Sequence, residues 1–221
     1  MKQNTCLNLR IFLYSLFLLF SIVSHADGER VNIASFSQND INSWQTKIFS
    51  GETHYAFSTM DGRTALHANS TASASGLFRK ISIELSQTPI LHWSWKVDNV
   101  LTGADERTRA GDDYPARVYV VFSGGAAFWR TRAISYVWSS KQAVNSHWRN
   151  PFTANSQMVA VQSGSERAGQ WVDERRDVLA DYRRIFGKEP GKLDAVAIMT
   201  DTDNTGASAS AWYGDIWFGA K

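Results

Sequence analysis

In Leu91-His92-Trp93-Ser94-Trp95-Lys96-Val97 every odd position is apolar and every even one is polar. Successive side chains of an extended chain point to opposite faces, so a period of two describes a strand with one face in a core. Further along, Val118, Val120 and Phe122 alternate with Arg117, Tyr119 and Val121. That run is largely apolar on both faces and predicts a strand in the middle of a sheet. Further strands are expected at residues 31–36, 53–59, 63–68, 76–85, 134–139, 157–162, 195–200 and 209–218. Turn chemistry separates them at Asp61-Gly62, Thr88-Pro89, Gly111-Asp112-Asp113, Gly124-Gly125 and Asp203-Asn204-Thr205-Gly206. About ten short strands in one chain predict a mostly β fold, an antiparallel β-sandwich of jelly-roll type.

One segment departs from this period. Trp171, Val178, Leu179, Tyr182, Ile185 and Phe186 recur at helical spacing. Asp173 and Glu174 stand early, Arg183 and Arg184 late, and Gly187 and Pro190 follow as stop signals. The pattern predicts one amphipathic helix of about four turns packed on the sandwich.

The N-terminus reads as an address. Lys2 and Arg10 precede an apolar run over residues 11–23, and Ser24-His25-Ala26 closes it with small residues at both ends. This is the three-part pattern of a cleavable secretory signal, with cleavage expected after Ala26. The apolar core is short for a membrane span, which disfavours an uncleaved anchor. The mature chain, residues 27–221, is therefore expected in the periplasm or outside the cell as a single domain. It has no second apolar stretch of spanning length and no cysteine, because the only one, Cys6, lies in the signal. Lys and Arg total 23 against 21 Asp and Glu, and loss of Lys2 and Arg10 balances the two. A balanced chain lacks the basic field that draws phosphate backbones, which excludes nucleic acid as the expected partner.

Four groups of residues offer chemistry. Asp201-Thr202-Asp203-Asn204-Thr205-Gly206 gathers oxygen-bearing side chains at the end of an apolar strand. Asp201, Asp203 and Asn204 are candidate ligands for a structural Ca²⁺, although Trp212 stands where an EF-hand needs its bidentate acid. The other reading is a turn whose Asp and Asn bond their own backbone. Asp112 and Asp113 enter a strand just ahead of Arg117, to orient a ligand or to form a buried ion pair. Asp177 and Asp181 are neighbours on one helix face, a like-charged pair that Arg175, Arg176, Arg183 or a metal would compensate. Lastly, the chain holds nine Trp, an unusual aromatic load. Trp93, Trp95, Tyr136 and Trp138 are candidates for a platform on which sugar rings stack, unless those faces belong to the core. No Gly-x-Ser-x-Gly elbow, HExxH or phosphate-cradling glycine loop is present, so no catalytic residue is assigned.

Five of these stretches, taken in order, resemble a known family. They are Leu91-x-Trp93-x-Trp95-Lys96-Val97, Gly111-Asp112-Asp113-x-x-Ala116-Arg117-Val118-Tyr119-Val120-x-Phe122, Ser135-Tyr136-Val137-Trp138, Trp171-x-x-Glu174-Arg175-x-Asp177-x-x-x-Asp181-Tyr182, and residues 197–205. Their order and spacing are similar to the domain of unknown function 3047 family of exported bacterial proteins, over nearly all of the mature chain. That family has no established activity, so the resemblance implies no substrate and no catalytic residue. A fold-level likeness to galactose-binding jelly rolls is carried by Phe36, Trp44, Gly51, Tyr55, Ala65-Leu66 and Gly76-Leu77. Many carbohydrate-binding modules share that fold, often with a structural Ca²⁺, and fold alone does not determine function.

The resulting expectation is a non-catalytic periplasmic module binding a saccharide or another envelope ligand. The alternatives are a cell-wall glycan hydrolase or lyase drawing on Asp112, Asp113, Asp177, Asp181, Asp201 and Asp203, and a structural or assembly protein of the envelope.

Overall fold

The computed structural model describes residues 30–126 and 130–221. The expected signal segment and Trp129 lie outside the described residues. The strands are β1 Val31–Ala34, β2 Gln45–Ser50, β3 His54–Met60, β4 Arg63–Thr71, β5 Ala74–Ile83, β6 Ile90–Val97 and β7 Tyr114–Phe122. They continue as β8 Arg132–Ser139, β9 His147–Arg149, β10 Ser156–Ser163, β11 Val172–Asp177, β12 Leu193–Asp201 and β13 Ser208–Gly219, with a single α-helix, α1 Val178–Phe186, among the described residues.

Two sheets face each other. One runs β11-β6-β13-β4-β3 with β1 also paired to β13; the other runs β2-β5-β12-β7-β8-β10-β9. From β4 to β7 the chain changes sheet at every step, and it does so again through β11, β12 and β13. This interleaving of β4-β13-β6-β11 over β5-β12-β7-β8 is the jelly-roll arrangement. The expected mostly β sandwich is what forms, with one difference: β10 lies parallel to β8, so the larger sheet is mixed. Residues 140–155, which carry β9, make the return connection that a parallel pair needs.

The period of two decides which residues fill the core. From β6, Leu91, Trp93, Trp95 and Val97 point inward; from β7, Ala116, Val118, Val120 and Phe122 do. Trp93 and Trp95 meet edge to face at 5.4 Å, and Trp93 stacks at 5.5 Å on Tyr136 of β8. Trp95 packs 6.0 Å from Trp138. β7 is the centre of the larger sheet, between β12 and β8, as its two apolar faces predicted. The Asp61-Gly62 turn has φ of 51° and 75°, the left-handed pair that closes a two-residue hairpin between β3 and β4.

The helix is shorter than its spacing predicted. Residues 172–177 form β11, antiparallel to β6, and only Val178–Phe186 is helical. Val172 is buried beside Trp95 of β6 while Asp173 and Arg175 face out, so the edge of β6 captures this segment as a strand. Asp177 is the N-cap, accepting from Ala180 N at 2.9 Å, and Gly187 ends the helix at φ 65°. Tyr182 places its ring 4.5 Å from Phe122 and so seats the helix on the open edge of the core. No helix among the described residues is long and apolar enough to cross a membrane.

Trp95 is fully buried, and Trp95→Ala is expected to cost about 3–5 kcal/mol. At roughly 2–4 °C per kcal/mol, differential scanning calorimetry should show a fall of about 6–20 °C in Tm. Exposed Phe152→Ala should stay within about 0.5 kcal/mol of the unchanged protein.

Candidate ligand-binding site

Residues that face away from the core on the larger sheet build the site. Arg117 alternates with the inward-facing β7 residues and so points to the outer face, yet its side chain is only 3% exposed. A guanidinium cannot shed its charge when buried, so its donors must be matched by acceptors. Arg117 Nε donates to Asp201 Oδ1 at 2.6 Å, and Nη2 pairs with Asp201 Oδ2 and with the Asp112 carbonyl at 2.5 Å. Nη1 donates to Tyr119 Oη at 3.1 Å and lies 3.7 Å from Asp112 Oδ2. Burial by itself would lower the Arg117 pKa; Tyr119, Asp112, Tyr114 and Asp113 outweigh it, and the net direction is up.

The flanking loops are tied to this centre. Asp113 accepts from Asn204 N at 3.2 Å, Asn204 Nδ2 at 3.0 Å, Thr205 N at 2.6 Å and Thr205 Oγ1 at 2.7 Å. It therefore clamps the turn after β12. Asn150 donates to Asp112 Oδ2 at 2.9 Å while its own Oδ1 accepts from Phe152 N and Thr153 N at 3.0 and 3.1 Å. One side chain thus links Asp112 to the turn that presents Phe152. Buried Glu106 holds the loop before Asp112 by accepting from Ser139 Oγ and Ser140 N, each at 2.5 Å.

Between these groups lies an open cleft of about 370 Å³, floored by Arg117, Tyr119, Met199 and Asp112 and walled by Phe49, Phe152 and Asp203. A second hollow of about 220 Å³ continues from it past Phe49, Tyr119 and Met199 to Phe78. Phe49 and Phe152 are 65% and 52% exposed, with the Lys47 ammonium 6.0 Å from the first ring and the Arg109 guanidinium 5.3 Å from the second. Asp112 Oδ1 is buried and has no hydrogen-bond partner. Burial pushes the Asp112 pKa up, against the pull of Arg117 and Asn150. Asp203 is raised too, by burial and then by the charge of Asp113.

The sequence candidates separate accordingly. Asp112, Asp113, Arg117, Asp201, Asp203 and Asn204 come together, with ligand atoms of Asp113, Asp201 and Asp203 within 4.8 Å of one another. These acids supply part of the six to eight oxygens that Ca²⁺ takes. Asp201 is engaged by Arg117 on both oxygens, and both oxygens of Asp113 hold the turn. Asp113 thereby holds the 201–206 turn, and Asp201 anchors Arg117. Trp93, Trp95, Tyr136 and Trp138 are corrected as a stacking platform: they are at most 3% exposed and fill the space between the sheets. Their faces are the core face because β6 and β8 are both covered by the opposite sheet. Asp177 and Asp181 are also removed from the site. Asp177 caps α1 and pairs with Lys221 at 3.0 Å, and Asp181 is held by Arg176 at 2.8 Å, Arg184 at 2.9 Å and Tyr136 Oη at 3.1 Å. They belong to the helix and the edge of the core. Phe49, Asn150 and Phe152 were not foreseen, since β2 and the 150–153 turn carry no distinctive pattern; Tyr119 and Met199 lie on foreseen strands but were given no role.

A family model matches residues 42–217, from just before β2 to within β13. The chain belongs to the DUF3047 family of proteins of unknown function. No curated protein matches it. Among solved structures, it is similar to a family 11 carbohydrate-binding module of a cellulosomal cellulase from Clostridium thermocellum, at 9% identity and a TM-score of 0.48, over 86% of this chain and 95% of that one. A cellulase derived from the Cel12A cellulase of Rhodothermus marinus is similar at 11% identity and a TM-score of 0.48, over 85% of this chain and 99% of that one. At these identities no residue of this family member is equated with one of theirs.

Two outcomes check the site. Arg117→Ala leaves Asp201 charged and unpaired, which should cost about 3–5 kcal/mol in urea unfolding. Replacing the pair by Arg117→Met with Asp201→Leu should recover most of that loss, because no uncompensated charge remains. Asp112 has a folded-state pKa above its unfolded one, so its contribution to stability is present below the unfolded value and is lost as pH rises through the folded value. Tm followed from pH 4 upward should therefore fall less steeply in Asp112→Asn.

Proposed function

We propose that this protein is an exported saccharide-binding module, and that its ligand lies in the cleft on the outer face of the larger sheet. The observation that carries the reading is the pairing of two exposed rings, Phe49 and Phe152, with a polar floor built round Asp112 and Asn150. A pyranose has apolar faces and a rim of hydroxyls. The first suit aromatic rings and the second suit oriented hydrogen-bonding groups, which is the division this cleft offers. Asp112 Oδ1 supplies an acceptor desolvated in advance of binding. Arg117 has its donors committed internally, so it shapes the floor rather than grasping an anion. Export rests on the signal pattern of residues 1–26 and places the ligand in the cell envelope or beyond it.

A second reading has one observation in its favour. Asp112 and Asp203 line the same cleft, and both are shifted toward holding a proton. A glycan hydrolase needs one such carboxyl as acid and a second carboxylate as base or nucleophile.

Affinity electrophoresis against xylan, mixed-linkage β-glucan, glucomannan and solubilised peptidoglycan strands tests both. Retardation by at least one is expected, with Phe49→Ala and Phe152→Ala each raising Kd about 2- to 12-fold, the effect of ~0.5–1.5 kcal/mol for an aromatic contact. Retardation unchanged in both variants would refute this cleft. New reducing ends that vanish in Asp112→Asn would establish the hydrolase.

A further inference from the structure

The opposite face of the sandwich carries a separate cavity. It measures about 560 Å³ and lies across β11, β6, β13 and the start of β4. Its making is local. Between Tyr213 and Ile216 the register of β13 against β6 slips, placing Gly214 and Asp215 in a bulge. A Cβ on Gly214 would meet Ser94 Oγ, which would have to turn aside.

Two half-buried indoles stand at the cavity, and each is held in orientation. Trp217 stacks on His92 at 3.7 Å with the rings 3° from parallel, and the Arg30 guanidinium covers it at 4.5 Å. Trp171 donates from Nε1 to the Met60 carbonyl at 3.2 Å and carries Arg63 over its ring at 5.3 Å. Burial first, then Arg175 and Arg30, lowers the His92 pKa. Polar groups line the remainder. Asp215 accepts from Ser37 N and Oγ at 2.8 and 2.7 Å, Arg63 meets Asp173 at 3.4 Å, and Thr64 and Ser94 add hydroxyls.

We propose that this cavity is a second binding site, for an uncharged saccharide, on the face opposite the first cleft. His92 and Arg30 occupy the two faces of Trp217, so Trp171 is the indole placed to meet a sugar-ring face, while the surrounding hydroxyls, carboxylates and guanidinium match sugar hydroxyls. Arg30, Arg63 and Arg175 offset Asp173, Glu174 and Asp215 round the cavity, so no single sign of charge is left to select an ionic ligand. The inference stands on residues that the first cleft does not use. Two sites facing opposite ways would let one molecule bridge two glycan chains.

The test is a nitrogen-15 correlation spectrum of the indole N–H signals. The probes are cellotetraose, xylotetraose, mannotetraose, maltotetraose and chitotetraose, each at about 10 mM, which fills a site of ~1 mM Kd to roughly 90%. At least one probe should move the Trp171 and Trp217 signals. Trp171→Ala should weaken that response at Trp217 by tenfold or more in Kd, and Phe49→Ala with Phe152→Ala should leave it intact. The Trp212 signal, whose N–H on β13 reaches across β4 to donate to Ser58 Oγ of β3 at 3.1 Å, reports that each variant is folded. The proposal is overturned if no probe moves Trp171 or Trp217, or if the Trp217 response survives Trp171→Ala unchanged. Retardation of the protein by a polysaccharide through Phe49 and Phe152 alone would keep the first cleft and remove this one.

Discussion

Arg117 is a cation that has to stay charged inside the protein, and the architecture around it follows from satisfying its donors. β7 runs through the middle of the larger sheet, where its even-numbered residues are needed in the core, so Arg117 is directed to the other face. There Asp201, from the end of the neighbouring β12, takes its side and the Asp112 carbonyl takes its tip. The ends of two strands and the loop before β7 are thereby fastened at one point. Asp113 extends the fastening to the turn after β12, and Asn150 extends it to the turn beyond β9. A buried pair of this kind contributes little net stability compared with well-packed apolar residues. Its role here is positional: it determines where Asp112, Phe152 and Asp203 stand round the cleft.

The aromatic load divides between two tasks. Trp93, Trp95, Tyr136 and Trp138 fill the gap between the sheets, where large rings in mixed edge and stacked contacts give a dense core without disulfides. Trp171 and Trp217 stand on the outer face of the smaller sheet, each fixed by a neighbouring basic or imidazole group. Phe49 and Phe152 stand on the outer face of the larger one. A sandwich has two such outer faces, and in this chain both carry a hollow with aromatic walls and polar floors.

Much of this was legible beforehand, for a physical reason. Alternation along β6 and β7 states which side chains are apolar, and burying them requires a second sheet; the sandwich follows from that need. The Gly111-Asp112-Asp113 and Asp201–Asn204 groups were recognisable because carboxylates at strand ends need partners. The expected helix was overextended because Trp171 and Val178 are seven residues apart, a spacing a strand followed by a helix can also produce. Asp177 marks the junction, and its role as N-cap becomes visible only once β11 is paired with β6. Phe49 and Phe152 carried no signal at all, since an isolated phenylalanine in a short strand or turn reads the same whether buried or exposed.

The sequence by itself determined the mostly β class, the identity of the strands with a clear period of two, and the candidate polar groups. These depend on local geometry, on which face of a strand each residue occupies. Tertiary structure decided which of the two faces is inside, and so turned the Trp93–Trp95 and Tyr136–Trp138 pairs from surface to core. It also decided that Asp112 and Asp201, residues far apart in the chain, meet on Arg117, that Asn150 reaches Asp112, and that a bulge at Gly214 opens a cavity beside Trp217. Those outcomes depend on the register between strands distant in sequence. A period of two distinguishes one face from the other, but it does not tell which neighbour will cover it.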